Sequence, residues 1–228
     1  MSENDNYFDR FVISMIRILL PIALILSSVW IILQTTKVWV ELEYRMPGFP
    51  QDPYGFTLAD RLYWSKVDID YLLNDTGIEY FDAFQLDDGS AMHNERELRH
   101  MEDVKILIQL MWRYLGLGWI LLVLCGGVLQ RRQGWPKVGE VISTGARATL
   151  WLMIFLAVGL VAAFGVLFVG FHRIFFEGDT WLFAYSDTFI RLYPERFWRD
   201  TFALVAVVTL LVSGLFLWVP KWILKSAK

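Results

Sequence analysis

Residues 148–171 read ATLWLMIFLAVGLVAAFGVLFVGF, 24 positions without one charged side chain. A helix needs about 20 apolar residues to cross roughly 30 Å of hydrocarbon, and this run supplies them. Three further apolar runs, 11–33, 104–129 and 202–219, lie around it. The chain has 228 residues, 56% of them hydrophobic, and a mean hydropathy of +0.42, too apolar for an ordinary soluble domain. Little sequence remains for a soluble core, so the spans are the fold. The expectation is an all-α membrane protein with four transmembrane helices and a folded, mainly helical extracytoplasmic loop region.

That reading divides the chain into an N-terminal tip and first helix (1–33), an extracytoplasmic loop domain (34–103), helices two and three joined by a basic cytoplasmic loop at 130–147 (104–171), an aromatic extracytoplasmic loop (172–200), and a fourth helix with a basic tail (201–228). The first run follows an acidic flank (Glu3, Asp5, Asp9) and lacks a small-residue cleavage site, so it reads as a retained span rather than a signal peptide. Cys125 is the single cysteine, which leaves no disulfide framework and no thiol metal site.

Charge sets the orientation. With four spans, both termini share a side with 130–147, and that side carries nine basic against four acidic residues. The opposite side carries 12 basic and 20 acidic residues. Short basic segments stay in the cytoplasm, so the termini should be cytoplasmic and the acidic segments outside.

The outer segments carry helix signals. Thr57 followed by Asp60 resembles a capping box, with Leu58, Leu62, Ile69, Leu72 and Leu73 on one helical face and a stop near Asn74 to Gly77. A short strand at 80–86 should precede a turn at Asp87-Asp88-Gly89-Ser90. A second helix should start at Asn94 with Glu97 three residues on, and no Pro or Gly interrupts it before the second span. The aromatic segment 172–200 suits the headgroup layer, and Pro194 suits the first position of the helix that follows.

Counting back from a short inner connection at 1.5 Å per residue places His100 within roughly 5–10 Å of the level of His172. Two histidines at one level, with Glu97 and Asp103 one turn either side of His100, point to acid–base chemistry. Glu97 or Asp103 could orient the His100 ring. His93 reads as solvated surface. No H-E-x-x-H spacing exists, so no metal is expected. Lys105, Gln109 and Arg113 recur every four residues as one polar stripe, and Arg113, deep in the span, should face a cavity.

The stretch Arg96-Glu97-Leu98-Arg99-His100-Met101-Glu102-Asp103-Val104-Lys105 resembles the R-E-x-x-H-M-x-D-V-K block of the bacterial lipoprotein intramolecular transacylase family. Phe171-His172-Arg173-Ile174-Phe175-Phe176, Asp179-Thr180-Trp181 and Tyr193-Pro194-Glu195-Arg196-Phe197 resemble its second block. The first 55 residues carry no matching motif. The resemblance implies a membrane acyltransferase without cofactor or nucleic-acid partner. Its substrates would be diacylated bacterial lipoproteins in membrane lipid. It would move the sn-2 acyl chain of the diacylglyceryl-cysteine to the α-amine of the same cysteine, giving a lyso-form lipoprotein. His100 and His172 would be its catalytic pair, at the outer face of a bacterial cell membrane.

Elementary chemistry agrees. Ester-to-amide transfer needs a neutral amine, a group to take its proton, and a donor for the oxyanion. An α-amine titrates near an imidazole, so histidine suits its proton. His100, flanked by Glu97 and Asp103, reads as the better base, with His172 assisting the oxyanion or leaving group. Lys105, Arg113 or Arg173 could stabilise the oxyanion, and Gln109, Arg113 and Trp181 are assigned to substrate binding. The rival is a non-enzymatic membrane sensor or assembly factor with an extracytoplasmic binding loop, in which both histidines would be dispensable.

Overall fold

A computed structural model describes residues 3–226. Among them the helices are α1 (Glu3–Gln34), α2 (Thr36–Tyr44), α3 (Leu58–Leu73), α4 (Glu95–Phe175), α5 (Thr188–Leu192) and α6 (Glu195–Ser226). A 3₁₀ turn, Ile78–Ala83, follows α3. Helices α1, α4 and α6 are long and apolar enough to cross a membrane. The protein is an all-α membrane protein.

Helix α4 has 81 residues and would measure about 120 Å if straight. It is not straight, because the rings of His100 and His172 lie 6.0 Å apart. The reversal falls at Gly134, whose φ of +79° is left-handed and open to glycine at no steric cost. Pro136, with no N–H to donate, stands just beyond it. Residues 130–147, expected as a loop, are therefore helical on both sides of one tight turn.

The described residues form two compact units. One comprises 3–31, 111–161 and 203–226. Val12, Ile16, Leu20 and Leu24 of α1 pack there on Leu122, Leu129, Val138 and Val141 of α4. Small residues allow close approach: a methyl group at Gly145 would stand 2.9 Å from Leu20, and one at Gly139 2.9 Å from Pro220. Outward-facing Val123, Trp151, Phe155 and Val161 are exposed, as lipid contact requires. Asp9 is buried and accepts hydrogen bonds from Arg132 and Gln133, tying α1 to the turn of α4.

The other unit comprises 32–110 and 162–202. Its core joins Tyr44, Trp64, Tyr71, Phe81, Met92, Met101, Phe189, Leu192 and Phe197. Both capping boxes are present: Thr57 with Asp60 opens α3, and Asn94 with Glu97 opens α4. Helix α3 ends at Asn74 and α6 starts directly after Pro194. Asp88 and Gly89 (φ +80°) make the expected turn, with Ser90 N–H donating to Asp88 at 2.9 Å.

One local expectation fails and a second holds only in part. Residues 78–83 form a 3₁₀ turn rather than a strand, leaving only an isolated bridge between Gln85 and Ala91 among the described residues. Phe81 is buried there against Tyr71 and His93. The apolar face of α3 is inward in part: Ile69 lies in the core with Leu62, Leu72 and Leu73 packed against it, but Leu58 is exposed and Arg61, Ser65 and Asp68 are buried as well. Each has a specific partner. Arg61 donates to the carbonyls of Pro50 (2.8 Å) and Leu192 (3.3 Å) under Tyr44, Ser65 meets the Tyr44 hydroxyl at 2.6 Å, and Asp68 binds His93.

Two buried groups make stability pH-dependent. Glu43 is wholly buried and neither carboxylate oxygen accepts a hydrogen bond. Burial, reinforced by the neighbouring Asp200 carboxylate, pushes it up to about 7, and Arg196 at 3.9 Å offsets this only in part. For His93, burial alone would act downward, but the adjoining Asp68 and Glu97 carboxylates overcome it and lift the imidazole to about 9. Both groups are raised above their unfolded values, so each stabilises the fold at lower pH and loses that contribution as pH rises. Thermal stability in detergent should fall first between about 4.5 and 7 and again between about 6.5 and 9. Glu43→Gln should abolish the first decline and keep the second; a variant with the wild-type profile would refute the assignment.

Candidate active site

The last turn of α4 and the second turn of its N-terminal arm meet at a pair of imidazoles. Both His100 and His172 are buried. Their rings are nearly parallel, at 25°, with centroids 6.0 Å apart. Aromatic side chains from 168–189 enclose them: Phe176 (4.8 Å), Phe183 (5.4 Å) and Phe189 (5.6 Å) around His100, and Phe168 (4.2 Å) and Trp181 (4.9 Å) against His172. This cage was not foreseen residue by residue, though the aromatic richness of 172–200 signalled it.

The tautomer of His172 follows from its contacts. Nδ1 lies 2.7 Å from the carbonyl oxygen of Phe168, which can only accept, so Nδ1 carries the proton. In the neutral ring the lone pair is then on Nε2. His100 differs: its Nδ1 is shielded from solvent and has no partner. His100 stands four residues outside the apolar run 104–129. Burial and the neighbouring imidazole both disfavour a positive charge on it, so its neutral form prevails.

The flanking carboxylates do not orient His100. Glu97 accepts from the backbone N–H of Asn94 (2.8 Å) and of Phe189 (2.6 Å), and lies 3.7 Å from His93. Asp103 accepts from Thr180 at 3.3 Å. Glu97 thereby fastens the aromatic segment to α4 and supports the cage from outside. His93, expected on the surface, is buried and bonded to Asp68 at 2.8 Å. A lone histidine in a turn-rich stretch gives no sign of a carboxylate 25 residues earlier.

The cationic residues also depart from expectation. Lys105 is buried, but its ammonium donates to Asn74 (2.9 Å) and the Thr76 carbonyl (2.5 Å) and lies over the Tyr71 ring. It holds the end of α3 and offers nothing to the cage. Arg113 is exposed beside exposed Tyr114 and Leu117, on an outward face rather than lining an enclosed cavity. Each four-residue step on a helix turns by about 40°, so Arg113 lies about 80° round from Lys105, enough to face outward. Arg173 is exposed too, one position past the inward-facing His172, and Gln109 is half-buried. Trp181 does reach the site, and its indole Nε1 is buried without a partner. Among the described residues no three His, Cys, Asp or Glu side chains come together as a metal site.

Such an arrangement defines an all-helical integral membrane enzyme with a histidine pair in an aromatic cage. Residues 14–198 match the family of the lipoprotein intramolecular transacylase Lit, and the chain belongs to that family. An uncharacterised protein of Aquifex aeolicus is 31% identical over 185 residues, covering 80% of this chain and 81% of its own. The membrane-integral lipoprotein intramolecular transacylase Lit of Bacillus cereus shares the fold, with a TM-score of 0.79 at 18% identity over 97% of this chain and 98% of that one. Two structures of the same Bacillus protein with one histidine replaced, by arginine or by alanine, each score 0.76 over 98% of this chain.

Removing the Glu97 carboxylate would strand the buried N–H of Phe189 and break the capping box at Asn94. A stranded buried donor costs about 1–3 kcal/mol. Glu97→Ala should therefore lower the thermal midpoint in detergent by several degrees, while Glu95→Ala, on the exposed side of the same turn, should not. Equal midpoints for the two variants would contradict the fastening role.

Proposed function

We propose that this chain is a lipoprotein intramolecular transacylase that moves the sn-2 acyl chain of a diacylglyceryl-cysteine to the α-amine of that cysteine, with His172 as base and His100 as its partner. The observation that carries the assignment is the bond from His172 Nδ1–H to the Phe168 carbonyl, which presents Nε2 as a proton acceptor. This reverses the order suggested by the carboxylates around His100, because neither carboxylate contacts that ring.

In the reaction the α-amine nitrogen attacks the ester carbonyl carbon, a C–N bond forms and the ammonium proton passes to His172 Nε2. The tetrahedral intermediate then expels the glyceryl oxygen, which takes a proton from the imidazole pair, and the carbonyl reforms as an amide. Protons balance with no cofactor. Amine and ester belong to one molecule, so holding them in attacking geometry supplies several kcal/mol of the barrier. The acyl chains would lie along the apolar helices, and the basic segments, held in the cytoplasm, would put the histidine pair at the outer face of the membrane.

Co-expression with a diacylated lipoprotein and mass spectrometry of its N-terminal peptide tests the reading. One acyl chain should appear on the α-amine, and His172→Ala and His100→Ala should each slow the reaction by about 10²–10⁴-fold. Because the imidazoles are neutral near pH 7, the rate should climb with pH as the substrate amine loses its proton near about 8 rather than near 6.5. An unmodified peptide in a strain shown to express the chain would sink the proposal.

A further inference from the structure

The transfer just described develops a negative charge on the carbonyl oxygen, and a site for it needs a hydrogen-bond donor at that point. The charged donors are accounted for elsewhere: Lys105 is committed to Asn74, Thr76 and Tyr71, and Arg113 and Arg173 are exposed. Two polar atoms of the cage are buried without partners, His100 Nδ1 and Trp181 Nε1. An indole nitrogen can only donate. Leaving such a donor buried and unmet costs free energy, and an unmet donor beside a reacting group has a ready explanation in a ligand that is present only during the reaction.

The geometry points to the Trp181 indole N–H as the oxyanion donor of the acyl transfer. This rests on the transacylase reading and adds a residue to it. The Trp181 ring lies 4.9 Å from the His172 ring at 33°, so the donor is carried beside the base that must face the attacking amine. The amine nitrogen and the oxyanion are bonded to the same carbon, and a base on one and a donor on the other must sit side by side. The donor transfers no proton: it binds the oxygen as the C–N bond forms and releases it as the C–O bond to glycerol breaks. A neutral donor also suits a cage with no counter-ion among its aromatic walls. The residue's large ring would screen the intermediate from water as well.

The test uses the full-length protein in nanodiscs with a synthetic S-diacylglyceryl-cysteine lipopeptide, following N-acylation by mass spectrometry. Trp181→Phe keeps a ring against His172 and removes the N–H. It should lower kcat about 10²–10³-fold with KM little changed. Two inhibitors separate a donor from a packing residue: a lipopeptide with a phosphonate at the sn-2 position, which mimics the tetrahedral oxyanion, and one with an ether there, which has no carbonyl. Trp181→Phe should weaken the phosphonate and leave the ether unchanged. Equal loss for both inhibitors, or a wild-type kcat, would overturn the donor role. If wild type acylates the lipopeptide, His172→Ala does not and Trp181→Phe does so at full rate, only this inference falls. An inactive wild type would remove the transacylase reading and this inference with it.

Discussion

Glu97 is one buried carboxylate on which the geometry around His100 depends. One oxygen closes the capping box at the start of α4, and the other accepts the backbone N–H of Phe189 from a segment 92 residues later. A carboxylate can accept several hydrogen bonds, and burial makes the one from Phe189 expensive to lose. Two chain segments far apart in sequence are thus locked at one atom pair. Phe189 and Phe183 stand over His100 because of it, and His93 and Asp68 bring α3 to the same point. The cage is a consequence of a helix cap that reaches beyond its own helix.

Much of this was legible in the sequence because it is local or periodic. The apolar runs were unambiguous, since nothing else places 24 uncharged residues in a row. Both capping boxes could be read because the cap and its partner are three residues apart. The meeting of His100 and His172 could be estimated because helices rise at a fixed 1.5 Å per residue, so equal counts from one turn arrive at one level.

What could not be read was decided by partners distant in sequence. Glu97 was seen beside His100 on the helix, but its acceptor capacity was taken up by Phe189. His93 looked exposed because Asp68, the group that makes its burial tolerable, lies on another helix. Helix α3 turns Arg61, Ser65 and Asp68 inward because carbonyls, a phenol and an imidazole await them there, and no periodicity of leucines could reveal that. Lys105 has the same lesson: its position suggested a charge for catalysis, and its contacts make it a brace for residues 74–76. Single-residue direction was a further limit, as Arg113 and Arg173 show.

The bond from His172 to the carbonyl four residues earlier has an electrical consequence. In hydrolases built on an imidazole and a carboxylate, the fixed negative charge selects the tautomer and travels with the site. Here the helix backbone makes that selection, so the pair adds no permanent charge of its own. Any charge that the pair comes to hold must therefore arrive with a proton.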